Sequence, residues 1–450
     1  MGGLLRTLSI LLSLLVPAHP TRSPDCGGIL TPSGLSYLAE VSKAHAEAVL
    51  RQDLMAPTAP DLMLSSPKSS RNQITSVKVA ELSLSLIPDA GLRLSIDVDL
   101  GVTPAPSTTK MMRLSILADF HMEMNPEGNL ELVTSACKPT VEEMQSTEEM
   151  ERSTPRFSLL RDLGNGGKEE TEAQICLEVS KFLLSPNEQL MSLTAPFPVT
   201  PSCQVQYVPL AAPMFSKQGI TISLQTTFQV VGMAIPLPIS PVPFSMPEPV
   251  SSSPSHLTLA FSEHFYTSLF FALELAGAFN MTIPSPLTTA TVAQKITQMG
   301  SLFQEEQPVV LQAVFRSSPR VVLEEGKASL KLFLTVHMGT GAPAFQSFLS
   351  VNMDMSAGLV LSVASTRMMI SAALTTDSLR QADLLKELFL PPIREAVPAQ
   401  VNGVLSEGIF LPHISSFTYT DVNIVIHKDY VLVPCNLELQ AVAGEQSTVG

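Results

Sequence analysis

The sequence predicts an α+β fold in two domains that meet at a proline-rich joint. Three observations predict it. Apolar residues recur at helical spacing near the start of the chain and at strand spacing in the stretches that follow. The same order, helix then strands then helix, returns after residue 255. Between them, Pro196 to Pro254 hold 12 of the chain's 36 prolines, and 450 residues are too many for one ordinary core. The organisation read from this is a leader over residues 1–20, a first domain over 21–200, a joint with part of a sheet over 201–254, and a second domain over 255–450.

In the first domain, Leu35, Leu38, Val41, Val49 and Leu50 fall mostly on one side of a helix spanning Leu35 to Leu54, with Glu40, Lys43, Glu47 and Arg51 opposite. Residues 56–73 read as loop. The period then drops to two: Val77, Val79, Leu82, Leu84 and Leu86, a turn at Pro88-Asp89-Ala90-Gly91, and then Leu92, Leu94, Ile96, Val98 and Leu100. Met112, Leu114, Ile116 and Ala118 make a third strand, and Leu130, Leu132 and Val133 a fourth. These are hairpins with one apolar and one wet face. Residues 139–172 carry eight glutamates and Gly164-Asn-Gly-Gly167, and read as a mobile acidic insertion. Gly167-Lys168 is followed by Glu169 where a phosphate loop needs Ser or Thr, so a nucleotide site is not expected there. A second helical stretch runs from Glu172 past Val179 and Leu183, restarts at Ser185-Pro-Asn-Glu188, and ends by Pro196.

At the joint, prolines point to turns and edges, while the alternation from Ile220 to Val230 reads as a strand. Beyond it, Ser262 to Ala276 reads as an apolar helix with Phe265, Leu269, Phe270 and Leu273. Six strands follow: Val309–Phe315, Arg320–Leu323, Ala328–Val336, Phe345–Val351, Leu359–Val363 and Met368–Leu374. A helical zone from Ser378 to Glu407 is read as broken at Pro391-Pro392 and Pro398, and a last strand runs from Phe417 to Val433.

Composition narrows the function. Arg6, the apolar run Leu8 to Val16 and the small-residue exit Pro17-Ala18 read as a secretory signal peptide, with the mature chain starting between His19 and Asp25. No later stretch is long and apolar enough for a transmembrane anchor. The net charge is −14, of which residues 1–200 contribute −8 and residues 201–450 contribute −6, with no basic cluster. That argues against nucleic acid and against electrostatic docking on anionic membranes. The eight histidines sit at no metal-ligand spacing, and no Gly-x-Ser-x-Gly elbow occurs, so neither an enzyme nor a cofactor is expected. The sequon Asn280-Met-Thr282 marks a candidate glycosylation site. Five cysteines in a secreted chain should mostly be paired.

Several stretches together resemble the superfamily of bactericidal/permeability-increasing protein (BPI), lipopolysaccharide-binding protein (LBP) and PLUNC, in its long two-domain form. They are Gly34-Leu-Ser-Tyr-Leu38, Leu84-Ser-Leu-Ile-Pro-Asp-Ala-Gly-Leu92, and Cys176 entering a helix that ends Leu193-Thr-Ala-Pro-Phe-Pro-Val199. Tyr207 to Pro213, Leu259 to Leu269, Ala276 to Thr282 and His427 to Leu432 continue the likeness through nearly all of the mature chain. Asp25 to Pro32 and Phe417 to Val422 resemble, more narrowly, an avian egg-white member.

The resemblance implies two BPI-type modules, each a twisted antiparallel sheet wrapped on a long helix, joined by a central sheet into a boomerang. It implies a disulfide between Cys137 and Cys176, leaving Cys26, Cys203 and Cys435 with one further bond open to them. It also implies apolar pockets for phospholipid or other acyl lipid, with bacterial surface lipid as a further partner. Leu35, Leu38, Val41 and Val49 of the first helix and Phe265, Leu269, Phe270 and Leu273 of the later one are the candidate lining. The implied function is a secreted, antibacterial lipid-binding protein of innate immunity. Because the N-terminal portion is acidic where endotoxin-gripping members are basic, two alternatives stand beside it. One is an extracellular lipid carrier or transfer protein without antibacterial activity; the other is a structural or developmental secreted protein.

Overall fold

A computed structural model of the chain describes residues 23–55, 73–103, 110–143, 176, 190, 192–236, 242, 244–247, 255–299, 303, 305–341, 344–374, 383–414 and 416–440, except 415 and the other short gaps between these ranges. The leader, the 56–72 loop, most of the acidic segment and most of the helical stretch after Glu172 lie outside the described residues.

The chain opens with β1 (Cys26–Leu30) and α1 (Pro32–Leu54), then a four-strand meander: β2 (Gln73–Ile87), β3 (Gly91–Thr103), β4 (Lys110–Met124) and β5 (Leu130–Glu143). Next come β6 (Phe197–Thr200), β7 (Cys203–Pro209), β8 (Met214–Ser216), β9 (Gly219–Val230), β10 (Met233–Ala234) and β11 (Leu257–Ser262). The second half holds α2 (Glu263–Leu275), β12 (Met281–Thr288), α3 (Thr289–Lys295), β13 (Pro308–Glu324), β14 (Lys327–Thr340), β15 (Gln346–Ala364), β16 (Arg367–Leu374), α4 (Asp383–Val404) and β17 (Ile409–Phe410). β18 (Phe417–Thr420), β19 (Val425–His427) and β20 (Tyr430–Leu439) close it.

These strands form three sheets. A four-stranded sheet, β2-β3-β4-β5, belongs to the first half, and a six-stranded sheet, β12 through β17 in sequence order, to the second. A ten-stranded sheet in the order β18-β20-β11-β1-β9-β7-β6 draws strands from the beginning, middle and end of the chain. β8 and β10 pair with β9, and β19 pairs with β20. The fold is α+β, with antiparallel sheets and few helices, as two BPI-type modules require. The joint contributes β7 to β10, but β1, β6, β11 and β18 to β20 complete its sheet from outside residues 201–254.

Helix α1 starts where Thr31 caps it: the Thr31 Oγ1 accepts from Gly34 N at 3.2 Å, with Pro32 in the first turn. The same hydroxyl donates to Ser255 O at 2.7 Å, so the cap also fixes the helix to the strand entering the second half. Its apolar side is divided. Leu35, Ala46, Leu50 and Leu54 pack in the core of the four-stranded sheet, whereas Tyr37, Leu38 and Val41 pack against the larger core of the central and six-stranded sheets.

Several elements differ from the sequence reading, each for a local reason. β13 is one strand because Pro319 sits in an irregularity between Ser317 and Arg320, where a ladder donor is not needed. β15 is likewise one strand: Met353, Met355 and Ala357 point inward between Asn352, Asp354 and Ser356. α4 runs through Pro391, Pro392 and Pro398 unbroken. Its buried stripe of Phe389, Ile393, Val397 and Val401 at four-residue spacing outweighs the missing hydrogen bonds. The last strand is three, because Asp421 and Asp429 take positive φ and turn the chain. β12 hides behind Pro284 and Pro286 at a sheet edge. Residues 139–143 belong to β5 rather than to the acidic insertion.

Candidate functional site

The four-stranded sheet has two chemically opposite faces. Leu92, Leu94, Ile96, Val98, Leu100 and Val102 of β3 lie beside Met112, Leu114, Ile116, Ala118, Phe120 and Met122 of β4, all buried on one face. On the other, Arg93 pairs with Asp119 at 2.7 Å and Arg113 with Asp99 at 2.8 Å. The Arg93 guanidinium holds the exposed Asp119 carboxyl below its usual range. Strand alternation produces this separation directly. The flanks of the apolar face are only half-covered: Leu82, Leu84 and Leu86 on β2 and Leu132 and Val141 on β5 are partly buried against it. Sequence reasoning recognised Leu82, Leu84, Leu86 and Leu132 as strand positions, placed Val141 in the acidic insertion, and confined the candidate lining to helices. Their period-two pattern was the available signal.

The predicted lining residues separate into three environments. Phe265, Leu269, Phe270 and Leu273 of α2 are at most 1% exposed and sit in the larger core. Phe265 is packed against Phe261 (ring centroids 4.9 Å) and Tyr266 (5.0 Å). α2 is further locked by Thr267, which accepts from Val321 N at 3.1 Å, and by Glu263, which accepts from Leu323 N at 2.8 Å. Leu35 is buried under the four-stranded sheet, Leu38 and Val41 are partly buried on the larger core, and Val49 is half-buried and in neither core among the described residues.

A polar cluster is buried where β1 meets α2. Asp25 Oδ1 accepts from Thr226 N at 2.8 Å and from Thr226 Oγ1 at 3.0 Å, and Asp25 Oδ2 lies 3.8 Å from His264 Nδ1. Ser268 Oγ lies 3.4 Å from that same nitrogen. One ring nitrogen therefore faces both the carboxylate and the hydroxyl. A hydrolytic relay needs the two groups on opposite nitrogens, so this trio cannot run one. The two hydrogen bonds from Thr226 tie the start of β1 to β9, with His264 of α2 set against the other carboxylate oxygen. Among the described residues, no group of three or more His, Cys, Asp and Glu could hold a metal ion.

Cys137 and Cys176 are joined by a disulfide with Cα atoms 5.9 Å apart, tying β5 to a helical residue 39 positions on. Cys26, Cys203 and Cys435 are free and buried. Burial raises all three thiols, Cys203 to about 11 and Cys435 to about 12, and for Cys26 the charge of Asp25 adds to burial. Asn280 and Thr282 of the sequon are exposed at the start of edge strand β12. No helix among the described residues is long and apolar enough to cross a membrane.

Two sheet-and-helix halves with apolar interiors, sharing one central sheet, define a two-module apolar-interior protein. Residues 201–439 match the model of the LBP / BPI / CETP family, C-terminal domain. The chain belongs to that family, a lipid-binding and generally non-enzymatic one. It is 61% identical over 446 residues to Protein TENP of Gallus gallus, covering 96% of this chain and 99% of that one. It is 24% identical over 456 residues to BPI fold-containing family B member 2 of Homo sapiens, again covering 96% and 99%. The crystal structure of lipopolysaccharide binding protein superposes with a TM-score of 0.55 at 16% identity, covering 93% of this chain and 100% of that one.

Proposed function

We propose that this chain is a secreted lipid-binding protein of innate defence that holds acyl chains by apolar burial. The observation that carries the reading is the apolar face of β3 and β4, with its half-covered flanks Leu82, Leu84, Leu86, Leu132 and Val141, in a chain of this family. Each methylene taken from water to such a surface contributes about 0.8 kcal/mol, so affinity comes from tail length. α2 offers less: its four candidate residues are fully packed, which suits a structural role better than a pocket wall. Phospholipid is the ligand class that fits, with bacterial surface lipid as the defence-related target. The leader-like N-terminus and the exposed sequon Asn280-Met-Thr282 support secretion with an N-glycan. The test is solvent extraction and mass spectrometry of the natively purified protein. Co-purifying phospholipid supports the reading, and an empty interior in protein re-exposed to lipid refutes it. Growth inhibition of bacteria then separates a defence protein from a carrier without antibacterial activity.

A further inference from the structure

The hairpin joining β9 to β10 breaks two local rules at once. Its two-residue turn, Val231-Gly232, has φ of 52° and 76°. That is the turn in which Asn-Gly is the favoured pair, because asparagine tolerates left-handed backbone. A β-branched residue there is strained. Burial does not offset the strain, since Val231 is 75% and Met233 70% exposed, and Gly232 and Ala234 are exposed beside them. Neither turn stability nor solubility favours Val-Gly-Met-Ala at this tip. Residues that break local rules without a structural gain mark function.

The surroundings say which function. Val231 N donates to Ser202 O at 2.9 Å, which sets the tip beside the β6–β7 turn of Thr200, Pro201 and Ser202. Neither turn carries a charge. From Thr194 to Ser262 the only charged residues are Lys217, at the far end of β9, and Glu248, outside the described residues. On a protein of net charge −14, the segments that build this sheet end carry no charge, and Val231 and Met233 stand exposed at its tip. A neutral surface of that kind matches a zwitterionic lipid interface, where inserted side chains meet neither repulsion nor the cost of burying charge.

We propose that the β9–β10 tip docks the protein on zwitterionic phospholipid bilayers by inserting Val231 and Met233 among the acyl chains. The inference rests on the lipid-binding reading and adds the surface on which lipid would be met. The chain contains no tryptophan, so Met233→Trp introduces a single reporter. With phosphatidylcholine vesicles its emission should shift to the blue and be quenched by brominated acyl chains. The variant V231N/M233Q, which installs the better turn residue, should keep or raise the unfolding temperature while partitioning to the vesicles at least about tenfold more weakly. An unshifted, unquenched reporter overturns the proposal. So does a double variant that binds like the parent, or a parent that does not co-sediment with vesicles. Mass spectrometry of the bound lipid keeps the two readings apart. A protein that carries lipid but fails these assays loses only the docking tip. An inserted tip on a protein with an empty interior keeps the docking site and refutes the lipid-holding interior.

Discussion

Glu47 on α1 accepts the backbone N–H of Val79 on β2 at 3.0 Å. β2 is an edge of the four-stranded sheet, and its outward backbone groups would otherwise invite another strand. Lys43 donates to Ala80 O at 2.9 Å and Arg51 to Val77 O at 3.2 Å, so three consecutive helix turns close that edge. Removing the acceptor leaves a buried amide unpaired, and Val79 is 1% exposed. Glu47→Ala should therefore cost about 1–3 kcal/mol, read from the denaturant midpoint. Glu47→Gln, which keeps an acceptor, should cost less. Equal losses would show that charge rather than the hydrogen bond matters.

The Cys137–Cys176 bond closes a separation of 39 residues. In the chain-entropy account such a loop is worth roughly 3–4 kcal/mol. C137A/C176A should lower the unfolding midpoint accordingly, and non-reducing peptide maps of the parent should contain the linked pair. Recovery of either residue as a free thiol would contradict the pairing.

Cys26, Cys203 and Cys435 should be silent toward a thiol reagent at pH 8 in the native protein, and all three should react once it is unfolded. The native thiols titrate above their ordinary value of 9, at about 11 for Cys203 and about 12 for Cys435. The unfolded chain thus sheds these protons first as pH rises. Their stabilisation is complete below pH 9 and is lost progressively through 11 to 12. Unfolding midpoints of the parent and of C203A/C435A, compared between pH 8 and 11, should converge. A parallel pair of curves would refute the linkage.

Gly34 lies against the start of β11: a Cβ there would fall 2.2 Å from His256 O. Nearby, Tyr37 stacks on His256 at 4.6 Å, and His256 Nδ1 accepts from Leu437 N at 3.1 Å. Gly34→Ala must push α1 from this junction. The expected result is a loss of more than about 2 kcal/mol and early proteolysis at the α1 junction. A variant as stable as the parent would mean that the backbone yields without cost.

Lipid affinity should rise with acyl-chain length and change little between low and high salt, without preference for phosphatidylglycerol over phosphatidylcholine. Exposed charges are screened within about 8 Å at physiological ionic strength, whereas tail burial is not an ionic effect. Lys43 and Arg51, the helix cations facing β2, are already engaged by backbone carbonyls and Glu47. A preference for the anionic lipid that collapses in high salt would require a basic patch and overturn the tail-dominated mechanism.

Alternation made β2 to β4, the start of β5 and β14 readable, because most inward residues are apolar and most outward ones polar, Met111 and Leu117 of β4 being exposed exceptions. Helical spacing did the same for α1. What escaped was set by distant partners. The prolines of α4 read as breaks because only the tertiary core reveals the stripe from Phe389 to Val401 that holds the helix together. β1 was invisible as a strand, for five residues beginning Cys-Gly-Gly have no period of their own and are ordered by neighbours on both sides. The half-covered residues of the N-terminal sheet could not be singled out for a related reason. Whether an alternating Leu is covered or left half-open depends on what packs above it.

The position of β1 also imposes a schedule on biosynthesis. Cys26 is paired across to Leu224, 198 residues later, and on its other side to Phe261. At about 5–20 residues per second, the first strand to leave the ribosome waits roughly 10–40 s for its earlier neighbour to be made. Among the described residues the strands of the meander β2–β5 pair only with one another, so their ladder can form meanwhile. The shared sheet thus closes like a clasp around its oldest strand, after most of the chain has been translated. Nascent chains arrested before residue 219 should expose residues 26–30 to protease, and chains arrested beyond β11 should protect them.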